Sequence, residues 1–312
     1  MRRCSTGAPV LPYPMAYDST QAVEPRVLLA CGRRILLHDT PLVMGIVNVT
    51  PDSFSDGGTY FPVDQAVAHA LELVEQGADV LDLGAESTRP GATPVSADEE
   101  IARLLPVVKE VAKRTTVPIS IDTMKARVAR AMLETGACIV NDVTALRFDS
   151  DMGRVVADSG AGVVLMHMQG MPLTMQDAPH YSDVVEEVAE FFGERMTYAR
   201  SVGITKSQIV LDPGIGFGKL QAHNLTLLAE LNRFSRFERP IAVGVSRKGF
   251  IGQIVGRPVH ERTWGTAAAV AVAIDHGAHI LRVHDVASMK DVVRVAAAIR
   301  TAPHSARQED HA

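Results

Sequence analysis

The sequence lacks the features of a membrane-spanning or secreted protein. Its 312 residues contain no apolar run of about 18 residues or more, which excludes a transmembrane helix. Residues 4–20 hold three prolines, and they lack the apolar core of roughly 7–15 residues that a signal peptide needs. Cysteine is scarce, and the three present are an odd number without metal-binding spacing. We therefore expect a reduced, cytoplasmic setting.

The sequence also lacks a basic excess. It carries 31 Lys and Arg against 36 Asp and Glu, for a net charge of −5. Nucleic-acid binding usually needs a clustered basic excess, so we expect no nucleic-acid partner, and the missing apolar runs argue against a membrane partner. Local arginines and lysines can still bind a small anion. The 46% of hydrophobic residues can fill a sizeable core, which excludes disorder of the whole chain.

An internal repeat organises the chain. Helical periodicity, a glycine and then a β-rich apolar run recur in segments 75–84, 134–142, 158–167 and 275–285, and more loosely in 201–214. Glycine can take the left-handed conformation that ends a helix. The apolar run shows little alternation, which is typical of a strand buried on both faces.

Strand and helix patterns alternate eight times. Candidate strands lie at 43–48, 79–84, 118–122, 138–142, 162–167, 208–212, 241–246 and 279–283. This alternation predicts an α/β protein with a single (β/α)8 TIM barrel. A doubly wound open sheet is the alternative, and it is weaker because no G-x-G-x-x-G follows the first strand. We expect a flexible N-terminal extension at 1–30, the barrel at 31–302 and a disordered C-terminal tail at 303–312.

Polar and charged residues collect at the predicted strand ends, where barrel enzymes have their active sites. They are Asn48, Asp82, Asp122, Asn141, Asp142, His167, Asp212, Ser246, Arg247, Lys248, Arg282, His284 and Asp285, with Thr88 and Arg89 in the loop after the second strand. Some have simpler explanations. Asp142 and Asp285 can be N-caps of the following helices. We expect Asp82 to be a buried carboxylate bonded to loop amides, and His167 to be a core histidine.

Two kinds of chemistry are predicted at this rim. Asp122, Asn141 and Asp212 offer carboxylate and amide groups that can bind the paired N–H donors of a flat heterocycle. Lys248 could donate to a ring carbonyl or a ring nitrogen. Donors near strands one, two and eight suit an anion such as diphosphate, which arginine binds in a bidentate geometry. These donors are Asn48, Arg89, Arg282 and His284.

Other motifs narrow the choice of chemistry. The Gly-rich loops 50–61 and 87–96 have the length and composition of mobile lids. The run LDPGIGFGK at 211–219 lacks the G-x-x-x-x-G-K-[ST] spacing, so we reject a P-loop. The sequence has no His/Cys cluster for zinc and no G-x-S-x-G motif of a nucleophilic serine.

The motifs together resemble one family. GIVNVTPDSFSDGG at 45–58 and LDLGAESTRPGA at 81–92 are similar to the first two signatures of the dihydropteroate synthase family. Further matching runs are SIDT at 120–123, NDV at 141–143, LMHMQGMPLTMQ at 165–176, DPGIGFGK at 212–219, SRKGFIG at 246–252 and RVHDV at 282–286. The resemblance extends from Leu42 to Ala298, and this combination of motifs is highly specific.

The resemblance implies an enzyme of folate biosynthesis. It would join 6-hydroxymethyl-7,8-dihydropterin diphosphate to 4-aminobenzoate, release diphosphate and make 7,8-dihydropteroate. It further implies a Mg²⁺ cofactor, a homodimer and a site that admits sulfonamides. The implied pterin positions are Asp122, Asn141, Met166, Asp212, Phe217 and Lys248. The implied diphosphate positions are Asn48, Arg89, Arg282 and His284, with Asn48 also linked to Mg²⁺. The implied aminobenzoate positions are Phe54, Thr88, Pro90, Ser246 and Gly249, and the implied catalytic groups are Asp56, Arg89, Lys248, Arg282 and His284.

Two positions depart from the family pattern. Gly249 stands where many members have a serine that helps to hold the benzoate carboxylate, so we expect weaker or altered anchoring. Ile215 stands where phenylalanine is common.

Two other functions stay open: a methyltetrahydrofolate-binding methyltransferase domain with a corrinoid partner, and a pterin-binding paralogue without turnover. The SRK and RVHD runs argue against the methyltransferase, which needs no diphosphate site.

Overall fold

The computed structural model describes four stretches of the chain, residues 26–50, 61–87, 94–170 and 174–302. Part of the predicted site falls outside them. Those residues are Phe54, Asp56, Thr88, Arg89 and Pro90. Most of the predicted extension and all of the predicted tail also lie outside the described residues.

Strands and helices alternate along the described residues. The strands are β1 (Arg26–Ala30), β2 (Arg33–Leu37), β3 (Leu42–Asn48), β4 (Val80–Gly84), β5 (Ile119–Asp122), β6 (Ile139–Asp142), β7 (Gly162–Met166), β8 (Ile209–Asp212), β9 (Ala242–Val243) and β10 (Ile280–Val283). The helices are α1 (Phe61–Glu75), α2 (Ala97–Arg114), α3 (Ala126–Thr135), α4 (Met152–Ser159), α5 (Val184–Ser201), α6 (Gln221–Ala229), α7 (Gly249–Val255), α8 (Thr263–Asp275) and α9 (Val286–Arg300). Each of the eight predicted barrel strands is present.

Strands β3 to β10 form a closed parallel barrel. Their order is β8-β7-β6-β5-β4-β3-β10-β9, and a parallel bridge between Leu211 and Ile241 joins β8 to the chain entering β9. The predicted single (β/α)8 barrel is therefore confirmed, and the doubly wound open sheet is wrong. The register aligns Asp122 with Asn141 and Met166 with Asp212, which brings four predicted site residues to the same end of the barrel.

Local sequence signals account for several element boundaries. Every residue of β4 and β7 is buried, as expected for strands covered on both faces. Ser96 Oγ accepts a hydrogen bond from the Glu99 backbone N–H at 3.2 Å and caps α2. Gly160 ends α4 in the left-handed conformation, with φ of 66°. In the described residues no helix is both long enough and apolar enough to cross a membrane.

An antiparallel hairpin of β1 and β2 covers the N-terminal end of the barrel. Leu28, Ala30 and Leu37 are buried in one apolar cluster with Met44 and Val164, which belong to barrel strands. The predicted extension ran to residue 30, so its boundary is wrong for the five residues of β1. The sequence gives little signal for this strand, because it lies outside the strand–helix repeat.

Strand β9 is shorter than the sequence predicted. It covers two residues, whereas the apolar run at 241–246 suggested six. The chain leaves the sheet at Gly244 and turns, with the Lys248 backbone N–H donating to the Val245 carbonyl at 3.3 Å. Arg247 takes a positive φ of 56° in this turn. The turn carries Ser246 and Lys248 to the mouth of the barrel.

Candidate functional site

A pocket opens at the C-terminal ends of the barrel strands. It contains about 340 Å³ of space, part of it open to solvent. Its lining residues are Asp122, Asn141, Val143, Met166, Asp212, Gly214, Ile215, Phe217, Gly244, Lys248 and Arg282. The structure thus brings together all six residues that the sequence placed around a pterin, and Arg282 with them. Their binding roles stay a prediction.

Arg282 forms the centre of an ion network in this pocket. Its Nε donates to Asp82 Oδ2 at 2.6 Å, and its Nη2 donates to Asp122 Oδ2 at 2.7 Å. Asn141 Nδ2 donates to the same Asp82 oxygen at 3.1 Å. The expectation that Asp82 bonds loop amides is therefore wrong. Burying the charge of this carboxylate in an apolar strand is costly, and the ion pair with Arg282 from β10 offsets that cost.

The carboxylates of the pocket are shielded from water. Burial raises the pKa of Asp122 to about 7, although the nearby charge of Arg282 opposes this rise. Burial also raises the pKa of Asp212, against a hydrogen bond from the Gly214 backbone N–H to Asp212 Oδ1 at 2.7 Å. N–H donors on a bound ring would therefore stabilise the charged form of both carboxylates.

Two cations face these carboxylates. Burial lowers the pKa of Lys248 to about 8, and the charge of Arg282 lowers it further while Asp212 opposes the change. Lys248 Nζ lies 4.2 Å from the centre of the Phe217 ring, a cation–π contact. Burial also disfavours the charged form of Arg282, but the charges of Asp82 and Asp122 outweigh it and raise the pKa of Arg282 overall. Arg282 therefore stays charged.

Lys219 is a buried cation that the sequence did not single out. Its Nζ contacts His167 Nδ1 at 2.9 Å and donates to the Gly214 and Phe217 carbonyls at 3.0 Å each. Burial lowers the pKa of Lys219 to about 7. Burial also lowers the pKa of His167 to about 2, helped by the charge of Lys219. The prediction that His167 is a hydrogen-bonded core histidine is confirmed.

The predicted diphosphate and aminobenzoate residues in the described chain lie beside the pocket. Ser246 Oγ accepts a hydrogen bond from the His284 backbone N–H at 3.1 Å and lies 2.9 Å from its Nδ1. This contact joins the ends of β9 and β10. Asn48 is half-buried at the end of β3, and Gly249 is exposed at the start of α7. None of these four residues lines the pocket itself.

The two proposed N-caps have other partners. Asp142 accepts hydrogen bonds from the backbone N–H groups of Thr144 and Leu146 at 2.8 and 2.7 Å, so it holds a turn and caps no helix. Asp285 occupies the N-cap position of α9 but makes no side-chain capping bond. Its carboxylate accepts from Arg247 Nε at 3.0 Å instead.

Sequence comparison places the chain in a family. The profile described as pterin binding enzyme matches residues 44–284. A dihydropteroate synthase from Escherichia coli K12 is 47% identical over 271 residues, which span 86% of this chain and 95% of that protein. The chain belongs to the dihydropteroate synthase family. A family member from Synechocystis is 45% identical and covers 82% of this chain and 89% of its own length.

Solved structures of dihydropteroate synthases share this fold. One from Xanthomonas albilineans, with 4-aminobenzoic acid, has a TM-score of 0.84 and 48% identity over 89% of this chain and 100% of that one. Another from the same organism, in complex with 7,8-dihydropteroate, has a TM-score of 0.81 and 46% identity with the same coverages. A Yersinia pestis dihydropteroate synthase with a sulfonamide drug complex has a TM-score of 0.84, 43% identity, and coverages of 88% and 100%.

Proposed function

We propose that this chain catalyses the dihydropteroate synthase reaction. It joins (7,8-dihydropterin-6-yl)methyl diphosphate to 4-aminobenzoate and yields 7,8-dihydropteroate and diphosphate. One observation carries the proposal: two carboxylates and an amide from three strands, and a lysine from the turn after a fourth strand, line the same pocket. They are Asp122, Asn141, Asp212 and Lys248. The identity to known synthases across nearly the whole barrel supports it.

The pocket can bind the pterin through its ring edges and faces. Asp122, Asn141 and Asp212 present acceptors, and the amide also donates, which suits the amino group and ring N–H groups of a pterin. Lys248 supplies a donor for a ring carbonyl or nitrogen. Met166 and Phe217 supply apolar surface for the ring.

The reaction is a displacement at the exocyclic methylene carbon. The C–O bond to diphosphate breaks, and its electron pair leaves with the diphosphate. The amine nitrogen of 4-aminobenzoate then forms the new C–N bond and loses a proton. Asp122 and Asp212 favour a cationic ring, because an ionised carboxylate stabilises positive charge more strongly in a water-poor pocket. The amine is neutral at pH 7, so the site needs no strong general base.

Arg282 links the pterin side of the site to the leaving group. Its Nε and Nη2 donate to Asp82 and Asp122, which leaves both N–H groups of Nη1 and the second N–H of Nη2 for diphosphate oxygens. Two bonds fix the plane of the guanidinium before substrate arrives, and such preorganised donors are what stabilises charge developing on a leaving oxygen. Arg89 and His284 are proposed as further diphosphate contacts.

We propose that Mg²⁺ binds to this chain together with the diphosphate substrate. Among the described residues, no group of three or more His, Cys, Asp or Glu side chains could hold a metal ion. Mg²⁺ often binds through one or two protein oxygens together with substrate phosphates and water. The amide oxygen of Asn48 fits as one such ligand for Mg²⁺ arriving with the diphosphate. When bound, Mg²⁺ would neutralise charge on the leaving group.

We also propose that two copies of the chain form a homodimer. Large apolar side chains are exposed around α7 and α8, including Ile254 at 56%, Val259 at 51% and Trp264 at 85%. A monomer seldom exposes such a cluster. Sedimentation velocity should therefore give a dimer, and Trp264→Ser should shift the population toward monomer. A monomer at all concentrations would contradict this part of the proposal.

A diphosphate-release assay with and without 4-aminobenzoate tests the activity. We expect release that depends on 4-aminobenzoate and a product containing both rings. A pterin-binding paralogue without turnover would bind the substrate and release nothing. A methyltransferase domain would bind methyltetrahydrofolate and give no aminobenzoate-dependent release. Either result would overturn the proposed function.

A further inference from the structure

Lys219 is a buried lysine that does not itself line the pocket. Its Nζ has four neighbouring polar atoms: His167 Nδ1 at 2.9 Å, the Gly214 and Phe217 carbonyls at 3.0 Å each, and the His167 carbonyl at 3.4 Å. An ammonium group has three N–H donors. A protonated Lys219 can therefore donate to the three nearest of these atoms together.

These bonds connect two walls of the pocket. Gly214 and Phe217 belong to the loop between β8 and α6, and both line the pocket together with Ile215. His167 directly follows β7, the neighbouring strand, whose last residue Met166 also lines the pocket. Lys219 thus holds the loop against the end of β7.

The loop packs on the end of β7 without spare room. A Cβ added at Gly214 would overlap the His167 carbonyl oxygen, and one added at Gly218 would overlap the Gln169 carbonyl oxygen. Both glycines also have positive φ, 65° and 60°. The loop backbone therefore lies directly against the end of the strand. Lys219 Nζ donates to one of these two carbonyls, that of His167, at 3.4 Å.

The effect reaches a side chain that is proposed to bind the pterin. Lys219 bonds the carbonyl of Phe217, and the Phe217 ring carries the ammonium of Lys248 at 4.2 Å. Movement of the loop would displace this ring and the Lys248 donor above it. It would also disturb Gly214, whose N–H bonds the Asp212 carboxylate.

We propose that Lys219 is a positioning residue for the pterin wall of the site. It fixes the 213–219 loop so that Asp212, Phe217 and Lys248 keep the geometry that binds the pterin ring. The inference deepens the proposed function and rests on it. Lys219 touches neither substrate, so its loss weakens pterin binding much more than it slows the chemical step.

Lys219→Met tests this role, because it keeps the length of the side chain and removes all three donors. The matched control is Lys290→Met, which removes a half-buried lysine bonded to Asp79 at 2.6 Å near the opposite end of the barrel. The probe is 6-hydroxymethylpterin, and calorimetry measures its binding. Steady-state kinetics then separate the KM for each substrate from kcat.

The expected result is selective. Lys219→Met should weaken binding of 6-hydroxymethylpterin at least tenfold and raise the KM for the pterin diphosphate to match. The KM for aminobenzoate at saturating pterin, and kcat, should change less than threefold. Lys290→Met should bind the pterin as the unmodified chain does. Lys219→Gln, with two donors, should fall between the two.

Other outcomes overturn the inference. Unchanged pterin binding in folded Lys219→Met would do so, as would a fall in kcat alone. If Lys219→Met, Lys219→Gln and Lys219→Arg all fail to fold, the lysine serves the fold and not the pocket. Failure of the unmodified chain to bind 6-hydroxymethylpterin would be a different result, because it would contradict the proposed function itself.

Discussion

Arg282 donates from Nη2 to the Asp122 carboxylate at 2.7 Å. The residue proposed to bind diphosphate is therefore bonded to a residue proposed to bind the pterin. The sequence suggested an acidic half and a basic half of the rim, but the structure joins them through this ion pair and through Asp82 behind it. Binding of the ring and binding of the leaving group are thus expected to depend on each other.

Removing the guanidinium of Arg282 should lower both the stability of the fold and the rate of the reaction. In Arg282→Ala, the buried carboxylates of Asp82 and Asp122 lose their cation, and breaking such a buried pair costs about 3–5 kcal/mol in the free energy of unfolding. Urea denaturation measures this loss. Arg233→Ala, which removes an exposed ion pair with Glu186, should cost less than about 1 kcal/mol. Equal losses in the two variants would contradict the network. The folded fraction of Arg282→Ala should also turn over much more slowly.

Pterin binding should have a bell-shaped pH dependence. The pKa of Asp122 is raised to about 7, so this carboxylate gains a proton and loses its acceptor charge as the pH falls below 7. The pKa of Lys248 is lowered to about 8, so the ammonium is lost as the pH rises above 8. Titration of pterin affinity across both pKa values should therefore peak between them. Asp122→Asn should remove the acid limb, and an acid limb that persists in this variant would exclude Asp122 as its source.

Asp212 should matter for binding the ring. Asp212→Ala removes an acceptor from the pocket and leaves the Gly214 N–H without its partner. Losing one such contact typically costs about 2–4 kcal/mol, which corresponds to roughly thirtyfold weaker pterin binding or more. Calorimetry measures it, with Asp275→Ala on the exposed end of α8 as the control. Normal binding and turnover by Asp212→Ala would show that the pocket assignment is wrong.

Gly249 offers a test of aminobenzoate recognition. A Cβ at this position would meet no atom within 4 Å, so Gly249→Ser should be tolerated. The added hydroxyl can donate to the benzoate carboxylate, and a hydrogen bond to a charged group contributes about 1.5–3 kcal/mol. The KM for aminobenzoate should fall about tenfold or more. Gly193→Ser, which also meets open space in α5, should leave this constant unchanged. No difference between the two variants would remove position 249 from this role.

The barrel was predictable because its signal is repeated and local. Glycine at helix ends followed by an apolar run without alternation recurs in four strand–helix units and more loosely in a fifth, and this repetition predicts the barrel. The β1–β2 hairpin was missed because it occurs once and outside that repeat. The end of β9 was placed too late, since Gly244 and Val245 continue the apolar run while the backbone already turns toward Arg247.

The sequence predicted which residues line the pocket, but it did not predict the hydrogen bonds and ion pairs between them. Strand-end positions and the family resemblance selected Asp122, Asn141 and Asp212, which do meet. The pairing of Asp82 with Arg282 joins residues 200 positions apart, and no local pattern shows it. A charged residue inside an otherwise apolar strand was the available signal. For Lys219 the signal was weaker, namely a lysine directly after the glycines of the 212–218 run.

The most direct test is the identity of the product made by the purified chain. The chain should be incubated with (7,8-dihydropterin-6-yl)methyl diphosphate, 4-aminobenzoate and Mg²⁺, and the mixture analysed by mass spectrometry. We predict 7,8-dihydropteroate and diphosphate in equal amounts, and neither when 4-aminobenzoate is omitted. Diphosphate without the coupled product, or no turnover by folded protein that binds both substrates, would contradict the proposed function.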